Sequence, residues 1–235
     1  MKFVTHSYKD ALVIINGMPE YFALYEEVIA VIGEITELEL QEHFRTNYEG
    51  RKKSLSLSIN ALIDQKLRAR GWEEQSRIFG ESGYGKERRW RLDFSKSVLI
   101  EDNSLPNQTQ YKESGMAVEV AFNHAEAIAW NLLKPTLAAQ QNHVKKAIQA
   151  GVGIIITATD DLKYAGEFDS AVGSYQKFLT YMRPLSNVLT SPLLIIGLEA
   201  PESFHLRPEK IGKNIYGMVE AGPKPPKPKR SRRAQ

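Results

Sequence analysis

The sequence predicts an α/β domain with a mixed central β-sheet flanked by helices. Two fully apolar segments, Val152–Ala158 and Leu193–Leu198, have the composition of strands that are buried on both faces of a sheet. A third segment, residues 115–124, alternates between small and β-branched residues as a strand does. Segments with helical periodicity separate these strands through short connections. The order strand, helix, strand, helix, strand is typical of sheets that are at least partly parallel.

The remaining elements follow from local patterns along the chain. Apolar residues at helical spacing predict helices over 20–41 and 55–72, and the second of these ends at Gly71. Residues 88–94 and 97–100 predict strands after a Gly-rich turn at 80–87, and the composition of 101–110 predicts a loop. Residues 125–149 predict a helix that Pro135 must break or kink. Residues 160–189 predict one or two further helices.

Composition limits the class of protein. The chain has 235 residues, of which 42% are apolar, and this length is sufficient for one large domain with a sizeable core. It has no Cys, which excludes disulfides, thiolate metal sites and a Cys nucleophile. The sequence contains no signal-peptide pattern and no apolar run approaching the roughly 18 residues of a membrane span. We therefore expect a soluble, cytoplasmic protein without membrane contact.

The C-terminal segment differs in charge from the rest of the chain. Residues 221–235 contain no acid and are rich in Pro, and without their six cations the formal net charge changes from +3 to −3. The cations are Lys224, Lys227, Lys229, Arg230, Arg232 and Arg233. We expect residues 1–220 to form the domain and 221–235 to form a flexible basic tail. The tail is either an arm that binds DNA phosphates or a solubilising segment without a partner.

Several common catalytic motifs are absent or incomplete. Residues 80–87 match the Gly-x-x-x-x-Gly-Lys spacing of a phosphate-binding loop, but Glu87 replaces the hydroxyl residue that would bind magnesium, which excludes nucleotide hydrolysis. The five His residues include no pair at helical metal-ligand spacing, and the sequence has no Gly-x-Ser-x-Gly turn. Zinc catalysis and a serine hydrolase are therefore not supported.

Glu119 is a candidate metal ligand because it interrupts the apolar strand MAVEVAF. Alternation places Ala117, Glu119 and Ala121 on one face of the strand. A buried carboxylate is costly unless it is paired or binds a cation, so the alternative is an edge strand whose polar face meets water. Acids on neighbouring strands could converge with Glu119 to bind magnesium, which prefers oxygen ligands. The available acids are Asp93, Glu101, Asp102 and Glu113.

Three sequence blocks together resemble one family of nucleases. They are SLSINALIDQKLRARGWEE at 56–74, NQTQYKESGMAVEVAFNH at 107–124 and SPLLIIGLEAP at 191–201. In this order, and over roughly residues 15–201, the chain resembles the BglII/BstYI-type restriction endonucleases, relatives of BamHI. The resemblance implies a restriction-endonuclease-like core and a magnesium-dependent type II enzyme that cuts double-stranded DNA. It also implies a homodimer, with residues 20–70 at the interface, and a cognate DNA methyltransferase in the same restriction-modification system.

The resemblance assigns catalytic roles to individual positions. Glu119 takes the place of the second metal-binding carboxylate. In an alignment without gaps, the first metal-binding Asp falls on Gln110, and the polar residue two positions after the Glu falls on Ala121. An alternative alignment makes Asp93 the first acid and treats residues 95–110 as an insertion. His124 could then replace the missing base or electrostatic residue.

The resemblance also implies DNA contacts next to the catalytic strand. Asn123 and His124 follow it directly and could contact base edges, whereas the basic residues Arg51, Lys52 and Lys53 could bind phosphates. The alternative roles are a helix N-cap for Asn123 and a solvated turn for the basic residues. Since Gln110 and Ala121 depart from the family pattern, a second hypothesis is a catalytically inactive DNA-binding protein on the same scaffold.

Overall fold

A computed structural model describes residues 1–80, 88–102, 110–140 and 149–226. Within these ranges, six strands form a sheet in the order β1-β6-β5-β4-β3-β2, and two further strands, β7 and β8, form a separate hairpin. The strands are β1 (Phe3–Tyr8), β2 (Glu73–Arg77), β3 (Arg91–Asp102), β4 (Gln110–Val120), β5 (Val152–Ala158), β6 (Leu193–Leu198), β7 (Phe204–Ile211) and β8 (Asn214–Ala221).

Helices cover both faces of the six-stranded sheet. The helices of the described ranges are α1 (Ala11–Gly17), α2 (Pro19–Glu34), α3 (Glu37–Asn47), α4 (Ser56–Ala69), α5 (Ile128–Ala139), α6 (Asp160–Ala165) and α7 (Tyr175–Met182). Helices α2 and α4 contribute to the larger apolar core on one face of the sheet. Helices α5 and α7 pack against the opposite face. No helix in these ranges is both long and apolar enough to cross a membrane.

The predicted fold class is confirmed. Strands β4, β5 and β6 are parallel neighbours, whereas β1, β3 and β2 join the sheet in antiparallel pairs, so the sheet is mixed. The two apolar segments of the sequence are β5 and β6, and all of their residues are buried. Strand β4 is central, between β3 and β5, and its second half is almost entirely buried.

Several predicted element boundaries in the first half of the chain are wrong. The single helix predicted over 20–41 is α2 followed by α3, because Thr36 starts a new helix and its side chain accepts a hydrogen bond from the Glu39 amide at 3.1 Å. In place of the two strands predicted at 88–94 and 97–100, the chain forms a 3₁₀ helix at Arg88–Trp90 and the continuous strand β3, since Ser95 and Lys96 keep their pairing with β4. Residues 101, 102 and 110 of the predicted loop belong to strands. Most of the predicted Gly-rich turn, residues 81–87, lies outside the described residues.

Helix α5 continues through Pro135, so the predicted helix is not broken there. It ends at Ala139, and residues 141–148 lie outside the described ranges. Pro135 packs closely on Gly153 of β5, where an added Cβ would lie 2.4 Å from the Pro135 Cβ atom. The glycine therefore allows the helix to approach the sheet closely, on the face that carries Glu119.

The β7–β8 hairpin was not predicted from the sequence. Its two-residue turn contains Gly212 with φ +64°, a conformation that glycine adopts without steric cost. Gly217 of β8 packs against the loop that contains Lys52 and Lys53, and the Gly217 amide donates to the Lys52 carbonyl at 2.9 Å. After β8, Lys224 pairs with Glu167, and residues 227–235 lie outside the described ranges. The flexible tail and its boundary at residue 221 stay predictions.

Candidate active site

Asp93 and Glu119 lie opposite each other on the adjacent antiparallel strands β3 and β4. The pairing of Phe94 with Val118 sets this register. The Asp93 amide donates to Glu119 Oε1 at 3.3 Å, and the Val120 amide donates to Asp93 Oδ2 at 2.9 Å. Strand pairing therefore brings together two carboxylates that are 26 residues apart in the chain.

Glu119 is buried in the centre of the sheet, with 1% of its side chain exposed. The alternative that Glu119 faces water from an edge strand is therefore wrong. Burial, followed by the negative charge of Asp93, raises the pKa of Glu119 from its usual value to about 8, and Lys134 opposes this rise. A carboxylate in this position needs a cation to stay ionised at neutral pH.

Lys134 of α5 supplies a positive charge to the carboxylate pair. Its Nζ forms an ion pair with Glu119 Oε2 and donates to the carbonyl oxygen of Arg91 at 3.2 Å, and only 10% of the side chain is exposed. The sequence interpretation missed this residue. The available signal was composition, because Lys134 is the only charged residue in IAWNLLKPTLAA, the sequence of α5.

A cleft of about 400 Å³ lies next to Asp93. Its walls include Asn60 and Asp64 of α4, Glu74 of β2, and Asp93 with Val120 from the central sheet. Asp93 is partly exposed, unlike Glu119. The carboxylate pair is therefore connected to solvent on the Asp93 side, where α4 faces the strands.

The structure does not bring Gln110 to this site. Gln110 pairs with Asp102 at the opposite end of the β3–β4 hairpin, and nine residues of extended strand separate it from Glu119, a distance of about 30 Å. Ala121 is buried among apolar residues that include Ile128 and Leu132 of α5. Of the two alignments, the geometry favours the one in which Asp93 is the first acid.

The carboxylate pair is compatible with a magnesium ion. In the described part of the chain, no group of three or more His, Asp or Glu side chains is arranged to hold a metal. The two carboxylates that strand pairing brings together are those of Asp93 and Glu119. Magnesium is commonly bound by one or two carboxylates and takes its other ligands from water and substrate phosphates. Asp93 and Glu119 provide this kind of oxygen donor set.

The candidate DNA-contacting residues form a second cluster. Lys53 lines a cleft of about 600 Å³ together with Lys163, Asp169 and Ser170, whereas Arg51 and Lys52 are exposed on the same loop. A hydrogen bond from the Ala171 amide, and then the charges of Lys53 and His124, lower the pKa of Asp169.

His124 and Asn123 lie at the border of this second cluster. Both are exposed, and His124 forms a β-bridge with Val172. The Asn123 side chain accepts a hydrogen bond from Asn131 Nδ2 at 3.0 Å instead of capping a helix. Lys53 and His124 are thus brought to the loop around Asp169, separately from the ion pair between Glu119 and Lys134.

Comparisons with known proteins identify the family and the fold of the chain. The sequence profile of the family described as "Restriction endonuclease BglII/BglIII" matches residues 3–198. The crystal structure of restriction endonuclease BglII complexed with a DNA 16-mer superposes with a TM-score of 0.60 at 15% identity, covering 94% of this chain and 100% of that chain. The crystal structure of free BglII gives a TM-score of 0.49 at 14% identity, with 94% and 93% covered. No curated protein sequence matches. The chain belongs to the BglII/BglIII family of restriction endonucleases, which are type II site-specific nucleases.

Proposed function

We propose that the protein is a magnesium-dependent type II restriction endonuclease that hydrolyses phosphodiester bonds at a specific sequence in double-stranded DNA. The observation that carries this proposal is the pairing of Asp93 with Glu119 across β3 and β4. The two carboxylates would provide oxygen ligands for magnesium beside the cleft that Asp93 lines.

The residues of the chain would hold the ion and keep its ligands fixed. Asp93 and Glu119 would bind magnesium, which supplies Lewis-acid activation of water and of the scissile phosphate. The amides of Asp93 and Val120 fix the two carboxylates through backbone hydrogen bonds. Because Glu119 is held in a buried strand, its oxygens need no reorganisation when the reaction begins.

The second cluster would bind the DNA. Lys53, with Arg51 and Lys52 on the same exposed loop, would neutralise backbone phosphates. Asn123 and His124 follow the catalytic strand and expose groups that can contact base edges. Phosphate contacts set the register of the DNA, and base contacts determine which sequence is cut.

The proposed enzyme would act as a homodimer in the cytoplasm. A palindromic site presents two identical half-sites, and a twofold dimer presents two identical active sites to them. A cell that contains such an enzyme must protect its own DNA. We therefore propose a cognate DNA methyltransferase as a partner in a restriction-modification system.

A catalytically inactive DNA-binding protein on the same scaffold is the second candidate. Ala121 is apolar and buried where the family has a polar side chain, and Lys134 already neutralises part of the charge on Glu119. On this hypothesis the protein binds specific DNA without cutting it.

Incubation of the purified protein with phage DNA, with magnesium or with EDTA, tests the proposal on a gel. We expect discrete fragments only with magnesium, and we expect none from Glu119→Gln. Glu27→Gln is the control, because Glu27 is a partly buried carboxylate that is likewise paired with a lysine, Lys96, and it lies on α2, whereas the site residues lie on β3, β4 and α5. Retained DNA binding without cleavage by the unaltered protein would favour the inactive scaffold.

A further inference from the structure

Within the described residues, the active site differs in formal charge from two comparable ion pairs between a lysine and a carboxylate. Lys96 pairs with Glu27 and donates to a backbone carbonyl, and Lys224 does the same with Glu167, so each lysine has one carboxylate. Lys134 likewise contacts one carboxylate, that of Glu119, and one backbone carbonyl. Here, however, Glu119 also lies opposite a second carboxylate, that of Asp93. With both carboxylates ionised, the state that binds a metal, the two carboxylates and one ammonium group carry a formal charge of −1.

This formal charge fits a site that accepts a divalent cation and a phosphodiester. A divalent ion changes the formal charge of the site from −1 to +1. The single negative charge of one phosphodiester then brings the total to zero. Without Lys134, the same two carboxylates and ion would be neutral, and the phosphate would bring an uncompensated negative charge. Electrostatic compensation of charge that develops at the reacting group is among the largest contributions to enzymatic rate.

The fold places Lys134 on the same side of the sheet as residue 121. Ala121 packs among apolar residues that include Ile128 and Leu132 of α5, and Lys134 projects from the next turn of that helix to Glu119. The contact between Pro135 and Gly153 fixes the distance of this helix turn from the sheet. An ammonium group from α5 therefore lies beside Glu119. Two residues after Glu119, directly past the end of β4, the chain has only the methyl group of Ala121.

We propose that Lys134 is the charge-stabilising residue of the active site and supplies, from α5, the cation that Ala121, directly after β4, cannot supply. This inference rests on the proposed function and goes beyond it, because it assigns a third residue on a different element. Lys134 would act on the phosphate after Asp93 and Glu119 have bound the metal.

Three variants and three measurements test this role. Lys134→Met removes the charge, Lys134→Gln keeps a polar group in case the first variant does not fold, and Lys134→Arg keeps the charge. Lys96→Met is the control for loss of a partly buried lysine that is paired with a carboxylate. Each protein is measured for cleavage rate with magnesium, for Mn²⁺ binding without DNA by electron paramagnetic resonance, and for DNA affinity in EDTA.

We expect kcat to fall by about 100-fold or more in Lys134→Met and Lys134→Gln, with a smaller loss in Lys134→Arg. Mn²⁺ binding and DNA affinity should be retained, and Lys96→Met should cleave like the unaltered protein. Unchanged cleavage in Lys134→Met, or joint loss of cleavage and Mn²⁺ binding, would overturn the role of Lys134. Absence of cleavage by the unaltered protein would overturn both this inference and the proposed function.

Discussion

Lys134 and Glu119 form a buried ion pair that joins helix α5 to the central strand β4. The pair places a cation next to two facing carboxylates, Asp93 and Glu119, in the centre of the sheet. Fifteen residues separate its members in the chain, and they meet because α5 lies close to the sheet at Gly153. This contact organises the site from which the predictions below follow.

Asp93 and Gln110 can be tested as alternative first ligands. We expect Asp93→Asn to abolish Mn²⁺ binding and cleavage, because it removes one of the two facing carboxylates. Gln110→Ala should leave both unchanged, since Gln110 lies at the other end of the hairpin. Isothermal titration with Mn²⁺ and a cleavage assay measure the two properties. The reverse pattern would show that the alignment through Gln110 is right.

Folding stability should depend on pH through Glu119. The pKa of Glu119 in the folded protein, about 8, exceeds its ordinary value of 4.5, so the folded state binds the proton more tightly than the unfolded state. The free energy of unfolding should therefore fall as pH rises from 4.5 to 8, by at most about 1.4 kcal/mol per pH unit from this group, and level off above 8.

Glu119→Gln removes this dependence, because a glutamine does not titrate. Its stability relative to the unaltered protein should increase with pH and reach a constant value above about pH 8. Urea unfolding at several pH values from 5.5 to 9 gives the difference. Parallel stability curves for the two proteins would contradict the raised pKa.

The contact between Pro135 and Gly153 should determine both stability and activity. Gly153→Ala places a Cβ 2.4 Å from Pro135 Cβ and 2.7 Å from Leu193 Cδ2, so we expect a loss of about 1–3 kcal/mol of stability. It should also move α5 and Lys134 away from Glu119 and slow cleavage. Urea unfolding and the cleavage rate are the measurements.

Gly33→Ala is the control for the glycine substitution. Gly33 lies in α2 with nothing within 4 Å of an added Cβ, so alanine there should stabilise the helix by up to about 1 kcal/mol. Cleavage by Gly33→Ala should not change. Equal effects of the two substitutions would argue against a specific role for the Gly153 contact.

The basic tail should contribute to DNA binding through its charge. Removal of residues 227–235 deletes five cations, which are Lys227, Lys229, Arg230, Arg232 and Arg233. If all five contact phosphates, the slope of log affinity against log salt should decrease in magnitude by as much as about 4.5. Fluorescence anisotropy with a DNA duplex at several salt concentrations measures the slope.

A tail of the same length, with Gln in place of these five residues, separates charge from length. It should behave like the truncated protein if the tail is a phosphate-binding arm. An unchanged salt slope in both variants would identify the tail as a solubilising segment.

Local sequence patterns determined the buried strands β4, β5 and β6 and the face of β4 that Glu119 occupies. The continuous apolar segments β5 and β6 had to be buried, and alternation in MAVEVAF placed Glu119 on one face of β4. These predictions succeeded because hydrophobic periodicity is a local property that burial enforces. The break at Thr36 was missed, because a single capping hydrogen bond interrupts an otherwise continuous helical pattern.

Only the tertiary structure decided which residues accompany Glu119. The choice between Asp93 and Gln110 depends on the register of β3 against β4, and the arrival of Lys134 depends on how closely α5 packs on Gly153. Sequence patterns show which face a side chain occupies. Which residue lies opposite that side chain depends on pairing between segments that are distant along the chain. This pairing must satisfy backbone hydrogen bonds and side-chain packing together.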